Sequence, residues 1–279
     1  MISQHVIQPY GISNEAPFTL ISGPCVVESR DLVYEVATTL QAMCRELGIN
    51  YVFKASVEKA NRTSVNSFTG LGREKALNIL ADVKQDLGVP VITDVHDQAM
   101  IDLVAPVVDF LQIPAFLCRQ TSLVQHAAAT QLPVNIKKGQ FLSPKDMQHV
   151  LTKALATGNR NIMLCERGSC FGYNNLVVDF RGLAIMKSMG FPVVFDATHS
   201  VQLPGAGDGK SQGERVYAPI LAKASLSVGI AAVFMETHPK PEVALSDGPN
   251  SIRLADMKQH LESFYELDAL VKKDLVYAD

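Results

Sequence analysis

"AAVFMETH", residues 231–238, runs five apolar residues into Glu236 and His238. It is the eighth of a series. Comparable β-rich runs lie at 18–27, 51–56, 89–96, 110–115, 133–138, 161–167 and 191–199. Stretches of helical period separate them. In 31–47, Val33, Val36, Ala37, Leu40, Cys44 and Leu47 fall on one face at a spacing of about 3.6 residues. Ala76, Leu80, Val83 and Leu87 do the same in 73–87, where Gly88 is placed to end the helix. "SPKD" at 143–146 offers a serine N-cap, a proline in the first turn and a carboxylate at the third position. Further helices are expected near 98–105, 119–130, 181–189, 214–228 and 253–273.

Apolar strands alternating with helices imply a parallel sheet covered by helices, an α/β protein. An open doubly wound sheet accommodates such alternation, but eight consecutive repeats favour a closed (β/α)8 TIM barrel. No Pro/Gly-rich linker divides residues 1–279, so one barrel domain is expected, with residues 1–17 as a short N-terminal extension beneath it.

The chain has 279 residues, 47% hydrophobic and 19% charged, with a net charge of −3. That balance argues against nucleic-acid and membrane-surface partners but allows a local basic pocket. No apolar run reaches about 18 residues, and no basic segment leads into an apolar one at the N-terminus. The five cysteines are odd in number and lack a paired CxxC framework. A cytoplasmic protein is the expectation.

Ligands of parallel α/β folds bind at the carboxyl ends of the strands. Those ends carry Cys25, Lys54, Asp94 with His96, Gln112, Lys137 with Lys138, Arg167, Asp196 with His199, and Glu236 with His238. In a closed barrel Lys54, Lys59, Arg62, Lys137 and Arg167 converge on one cavity. Such a cluster repels itself unless an anion fills it, so phosphate or carboxylate ligands are expected. The loop 57–72 is long for a βα connection, which also marks it as functional.

Cys25, His199, Glu236 and Asp247 are candidate metal ligands, since strands 1, 7 and 8 become neighbours on closure. Sulfur, imidazole and carboxylates suit Zn²⁺, Fe²⁺ or Mn²⁺. Their scattered spacing alone does not separate that reading from a cysteine that merely packs. "GAGDGKS" at 205–211 fails as a phosphate-binding P-loop, because Pro204 stands where the first glycine is required. A lid is expected there instead, with Lys210 and Arg215 reaching toward an anionic ligand. Lys54 or Lys137 could instead form a Schiff base, the rival chemistry for a barrel lysine. A non-enzymatic sugar-phosphate binder is the rival of a different class.

"GPCVVESRD" (23–31), "YVFKASVEKANRTS" (51–64), "ITDVH" (92–96), "QIPAFLCRQT" (112–121), "NIKKGQF" (135–141), "CERGSCFGYNNLVVD" (165–179), "FDATHSVQ" (195–202) and "METHPKPEVALSDGP" (235–249) span nearly the whole chain. Together these motifs resemble the 3-deoxy-D-manno-octulosonate 8-phosphate synthases. The resemblance implies a homotetrameric barrel that condenses phosphoenolpyruvate with arabinose 5-phosphate and water, releasing phosphate, on a route to lipopolysaccharide. A related synthase family uses erythrose 4-phosphate and reads K-P-R-T where Lys59, Ala60, Asn61 and Arg62 stand here. The K-A-N-R form favours the five-carbon acceptor.

The resemblance also implies roles. Lys54, Lys59, Lys137 and Arg167 would hold phosphoenolpyruvate, with Gln112 and Ser56 nearby. Asn61, Arg62 and Ser64 would cradle the sugar phosphate, and Asp94 would contact the sugar. Arg119 resembles an arginine sent into a neighbouring subunit's site. Lys54, Lys59, His199 and Asp247 are the candidate catalytic residues. Cys25, with Ser246 before Asp247, matches the metal-dependent branch of the family.

Overall fold

The computed structural model describes residues 4–62, 67–207 and 210–276. Its eight central strands are β1 (Thr19–Gly23), β2 (Asn50–Lys54), β3 (Val91–Asp94) and β4 (Phe110–Ile113), then β5 (Val134–Lys137), β6 (Ile162–Glu166), β7 (Val193–Asp196) and β8 (Ala232–His238). Each pairs with the next in parallel, and β8 returns to β1 with Thr19 opposite Ala232 and Gly23 opposite Glu236. The closed (β/α)8 barrel expected from the eight repeats is present. The helices are α1 (Arg30–Leu47), α2 (Arg73–Leu87), α3 (Gln98–Val104) and α4 (Thr121–Ala129), then α5 (Met147–Leu155), α6 (Arg181–Lys187), α7 (Ala218–Leu226) and α8 (Met257–Val276).

Local chemistry sets these boundaries. Ser29 and Asp97 cap α1 and α3 by accepting from the N–H groups of Leu32 and Met100. Ser143 and Asp146 form a reciprocal capping box ahead of α5. Gly48 ends α1 at φ 68°, a left-handed conformation that glycine adopts without penalty. The strands are shorter than the apolar runs read from sequence, because their polar ends turn into the rim loops. Likewise α4 and α7 start later than expected, since single 3₁₀ turns at Ala115–Leu117 and Arg215–Tyr217 precede them.

Side chains alternate across the barrel wall. Ile21, Val52, Ile92, Phe110, Met163, Val194 and Phe234 fill the interior. Leu20, Phe53, Val91, Leu111, Ile136, Leu164, Val193 and Val233 face the helices. Each such fully buried side chain stabilises by about 1.5–3 kcal/mol. A turn bridging Ile7 to Ile12 packs both isoleucines into the interior cluster, and Tyr10 meets the Phe110 ring at the amino-terminal end. That end is therefore closed, which leaves the carboxyl rim for a ligand.

Gly23 lets β1 reach the rim beside β2. A Cβ there would sit 2.1 Å from the Lys54 carbonyl oxygen, where backbone cannot yield cheaply. Gly23→Ala is expected to cost about 2 kcal/mol and to shift the Cys25 and Lys54 ends together. A lowered urea midpoint checks this, and an unchanged one contradicts it.

Candidate active site

The carboxyl rim encloses a cavity of about 1250 Å³, lined by Lys54, Lys59, Asn61, Arg62, Asp94, Gln112, Lys137, Arg167, His199 and Asp247 among others. The expected convergence of cations is therefore present. Ser56 is fully buried outside the lining, and its hydroxyl accepts from the Lys54 ammonium at 3.0 Å, so it positions that lysine. Arg119 is exposed and does not line the cavity. Ser64 lies outside the described residues. Of the 205–211 stretch, residues 208 and 209 lie outside the described residues; the rest belongs to the antiparallel pair Gln202–Gly207 with Lys210–Gly213, whose Gln202, Pro204, Gly205, Gln212 and Gly213 border the opening.

The charge pattern corrects one expectation. The cations do not face one another unrelieved, because carboxylates are interleaved among them. Lys54 Nζ lies 3.7 Å from Asp94 and 3.4 Å from Glu236, all three buried. Lys137 pairs with fully buried Asp196. Its ammonium stands 3.9 Å above the Phe234 ring, with Lys54 at 5.6 Å from the same ring. The negative face of that ring attracts both ammonium groups.

Burial tends to raise Asp94 and Asp196, but opposite charges overcome it and hold both carboxylates well below the usual range. Lys54 and His96 do so for Asp94, and His199 with Lys137 for Asp196. Burial by itself lowers the Lys59 ammonium, yet Cys25, Glu236, Asp94 and Asp247 carry it upward. Burial lowers Arg167, with Asp196 opposing it. Its Nη2 donates to the Gln202 side chain at 2.8 Å. Its Nη1 is buried without a partner among the described residues. A buried donor left unpaired costs about 1–3 kcal/mol, so a donor like this marks where a ligand belongs.

Next to the cations lies a group of soft and hard donors. Ligand atoms of Cys25, Glu236 and Asp247 all lie within 4.8 Å of one another. The register that places Gly23 opposite Glu236 brings Cys25 there. The Cys25 thiol meets the Ser246 hydroxyl at 2.9 Å and donates to Asp247 Oδ2 at 3.1 Å. Burial and then Glu236 raise the thiol well above its ordinary value. Asp247 is pulled down to about 2, burial opposing while Lys59 and His199 favour the charge. His199 stands at the edge, with Nε2 3.7 Å from Glu236 Oε1. Its Nδ1 lies 2.8 Å from Asp196, an acceptor-only carboxylate that orients the ring. Nε2 is the nitrogen turned toward Glu236, the arrangement by which a carboxylate orients a metal-binding histidine. Glu236 Oε2 is buried with no partner among the described residues. A divalent transition ion fits this donor set.

Several residues in or behind the cavity wall have no role in the sequence reading. Asp196 stood at the rim without a role, although its spacing of three residues from His199 is a readable signal. Gln202, which donates from Nε2 to Asp247 at 3.2 Å while accepting from Arg167, lies just beyond that histidine turn. Phe234 faces inward by simple alternation on β8.

The family model described as the DAHP synthetase I family matches residues 5–273. The chain belongs to that family. Proteins similar to it include several named 2-dehydro-3-deoxyphosphooctonate aldolase. One from Francisella tularensis subsp. holarctica is 56% identical over 266 residues, 95% of this chain and 97% of the relative. Another from Thiobacillus denitrificans is 58% identical over 259 residues, 93% of this chain and 92% of its own. A third from Legionella pneumophila is 56% identical, covering 93% of this chain and 94% of its own. Among the described residues no helix is long and apolar enough to cross a membrane.

Proposed function

We propose that the cavity joins phosphoenolpyruvate to arabinose 5-phosphate and water, giving 3-deoxy-D-manno-octulosonate 8-phosphate and phosphate, a step toward lipopolysaccharide. The observation that carries this reading is the buried, unpartnered Arg167 donor among Lys54, Lys59 and Lys137, in a cavity that also takes in Asn61 and Arg62. Pockets for one drug-sized ligand run to about 300–1,000 Å³, and 1250 Å³ leaves room for two small phosphorylated molecules. The names of the relatives support the same chemistry.

In this reading Arg167, Lys137 and Lys59 grip the carboxylate and phosphate of phosphoenolpyruvate, with Lys54 and Gln112 beside them. Asn61, Arg62 and Ser64 hold the sugar phosphate, and Asp94 binds a sugar hydroxyl. The nucleophilic C3 of the enol then faces the aldehyde carbon, and that positioning supplies much of the rate. Negative charge develops on the aldehyde oxygen as the C–C bond forms, and the neighbouring ammonium groups stabilise it. Positive character appears at C2, where water adds and yields its proton. The adduct loses phosphate by C–O cleavage, with charge on the leaving oxygens met by Arg167. Asp247 and His199 are placed to take or return protons.

A divalent ion, Zn²⁺, Fe²⁺ or Mn²⁺, held by Cys25, Glu236 and Asp247 with His199 at its edge, would supply a Lewis acid for the water or the aldehyde. The resemblance also supports a homotetramer acting in the cytoplasm, one catalytic domain across residues 1–279, and Arg119 serving a neighbouring subunit's site.

Acceptor choice tests the substrate assignment. Phosphate release from phosphoenolpyruvate is expected to be at least about a hundredfold faster, as kcat/KM, with arabinose 5-phosphate than with erythrose 4-phosphate. The reverse preference would move the reading to the erythrose 4-phosphate reaction. Borohydride trapping of substrate on Lys54 or Lys137 would move it to a Schiff-base aldolase.

A further inference from the structure

Behind the cavity wall lies an ion pair that the proposed chemistry does not use. Lys138 follows Lys137 at the end of β5, and Glu166 precedes Arg167 at the end of β6. Alternation sends Lys137 and Arg167 inward and their neighbours outward, into the layer where Ile136 and Leu164 meet the helices. Charges there are anomalous. The Lys138 and Glu166 side chains are 0% and 3% exposed, with Nζ 3.4 Å from Oε1.

Their remaining bonds all go to the loops that flank the cavity cations. The Lys138 ammonium donates to the carbonyls of Gly139, Leu142 and Gly168, at 3.4, 3.2 and 3.4 Å, and to the Ser169 hydroxyl at 3.0 Å. Glu166 Oε1 accepts from the backbone N–H groups of Arg167 and Gly168 at 2.9 and 2.7 Å. The pair thus stitches the end of β5 to the end of β6, and fixes the backbone of Arg167 from behind. Apolar residues of similar volume often serve stability as well as a buried ion pair does, or better. Packing alone therefore does not call for these charges.

We propose that Lys138 and Glu166 are positioning residues that set the spacing of Lys137 and Arg167 for one phosphorylated enol substrate. This rests on the reading that those two cations hold phosphoenolpyruvate. A displacement of about 1 Å at such groups can cost about a hundredfold in rate. The sugar-phosphate group at Asn61 and Arg62 belongs to the loop after β2, which the pair does not touch.

The test uses the full-length protein with Lys138→Met/Glu166→Leu and with Lys138→Arg. The double variant is expected to fold, with a thermal midpoint below the parent's because the Arg167 and Gly168 N–H groups lose their acceptor. Its kcat/KM for phosphoenolpyruvate should fall by about a hundredfold, while KM for arabinose 5-phosphate moves less than about threefold. Lys138→Arg keeps the charge opposite Glu166 and should recover about tenfold of that loss, remaining below the parent. Parental kcat/KM for phosphoenolpyruvate in the double variant overturns the proposal, as does an equal loss for both substrates. If the double variant does not fold, Lys138→Arg is compared with the parent, because its planar fork cannot reproduce the ammonium's three carbonyl contacts. A phosphoenolpyruvate-selective KM rise of at least about threefold is then expected, and no change overturns the proposal. Calorimetric titration with phosphoenolpyruvate alone separates this from the assigned reaction. A parent that binds it but does not condense it defeats the reaction, and weaker binding in the variants still upholds the pair.

Discussion

Arg167→Ala is expected to lower kcat/KM for phosphoenolpyruvate by about 10²–10³, the usual loss when one aimed donor of charge is removed. Among the described residues the side chain makes a single hydrogen bond, to Gln202, and its other terminal nitrogen is buried and unengaged. Little folding energy therefore depends on it, and the variant should keep its circular dichroism and thermal midpoint. The loss should fall in both KM and kcat, since the same group binds the phosphate and meets the charge that grows as it leaves. KM for arabinose 5-phosphate should change by less than about threefold. Steady-state kinetics with each substrate varied in turn decides this, and a loss confined to the sugar would reverse the assignment of the two phosphate sites.

Cys25→Ala is expected to have the second large effect. The thiol is buried between Ser246 and Asp247, with its ionisation opposed by burial and by Glu236. A cation among these donors reverses that balance, because a coordinating thiol is deprotonated outright. The purified parent should carry close to one divalent transition ion per chain by atomic emission. The alanine variant should carry less than about a tenth of that and lose activity by at least about a hundredfold, the larger end of what disturbing a metal site costs. Removing the thiol leaves no unpaired charge, so the fold should survive. A Cys25→Ala protein with full activity after exhaustive chelation would remove the metal from the account.

Much of this site was legible in the sequence, for a reason that also limits it. The eight runs announced themselves because each strand needs two apolar faces, one for the interior and one for the helices, so Val, Ile, Leu and Phe occur without alternation. Where those runs end, polarity marks the rim, and Lys54, Lys137, Arg167, His199 and Glu236 follow in order. Pairing across the barrel was not legible. That Lys137 meets Asp196, and that Lys54 sits between Asp94 and Glu236, depends on strand register and interior depth. A count of cations therefore read the cavity as more uniformly positive than it is. Ser56 has a residue type suited to ligand contact, but the packing turns its hydroxyl to Lys54. Lys138 shows what parity alone can add. Two consecutive lysines at a strand end must face opposite ways, so one of them had to enter the helix-facing layer and find a carboxylate there.

The central claim is that two phosphorylated molecules react in one cavity, with the enol phosphate cleaved between carbon and oxygen. Phosphoenolpyruvate carrying ¹⁸O in its bridging position tests this most directly, with released phosphate analysed by mass spectrometry. The account predicts no phosphate with either substrate alone, and phosphate retaining the bridging label when arabinose 5-phosphate is added. Phosphate released without the sugar, or released without the label, would contradict it.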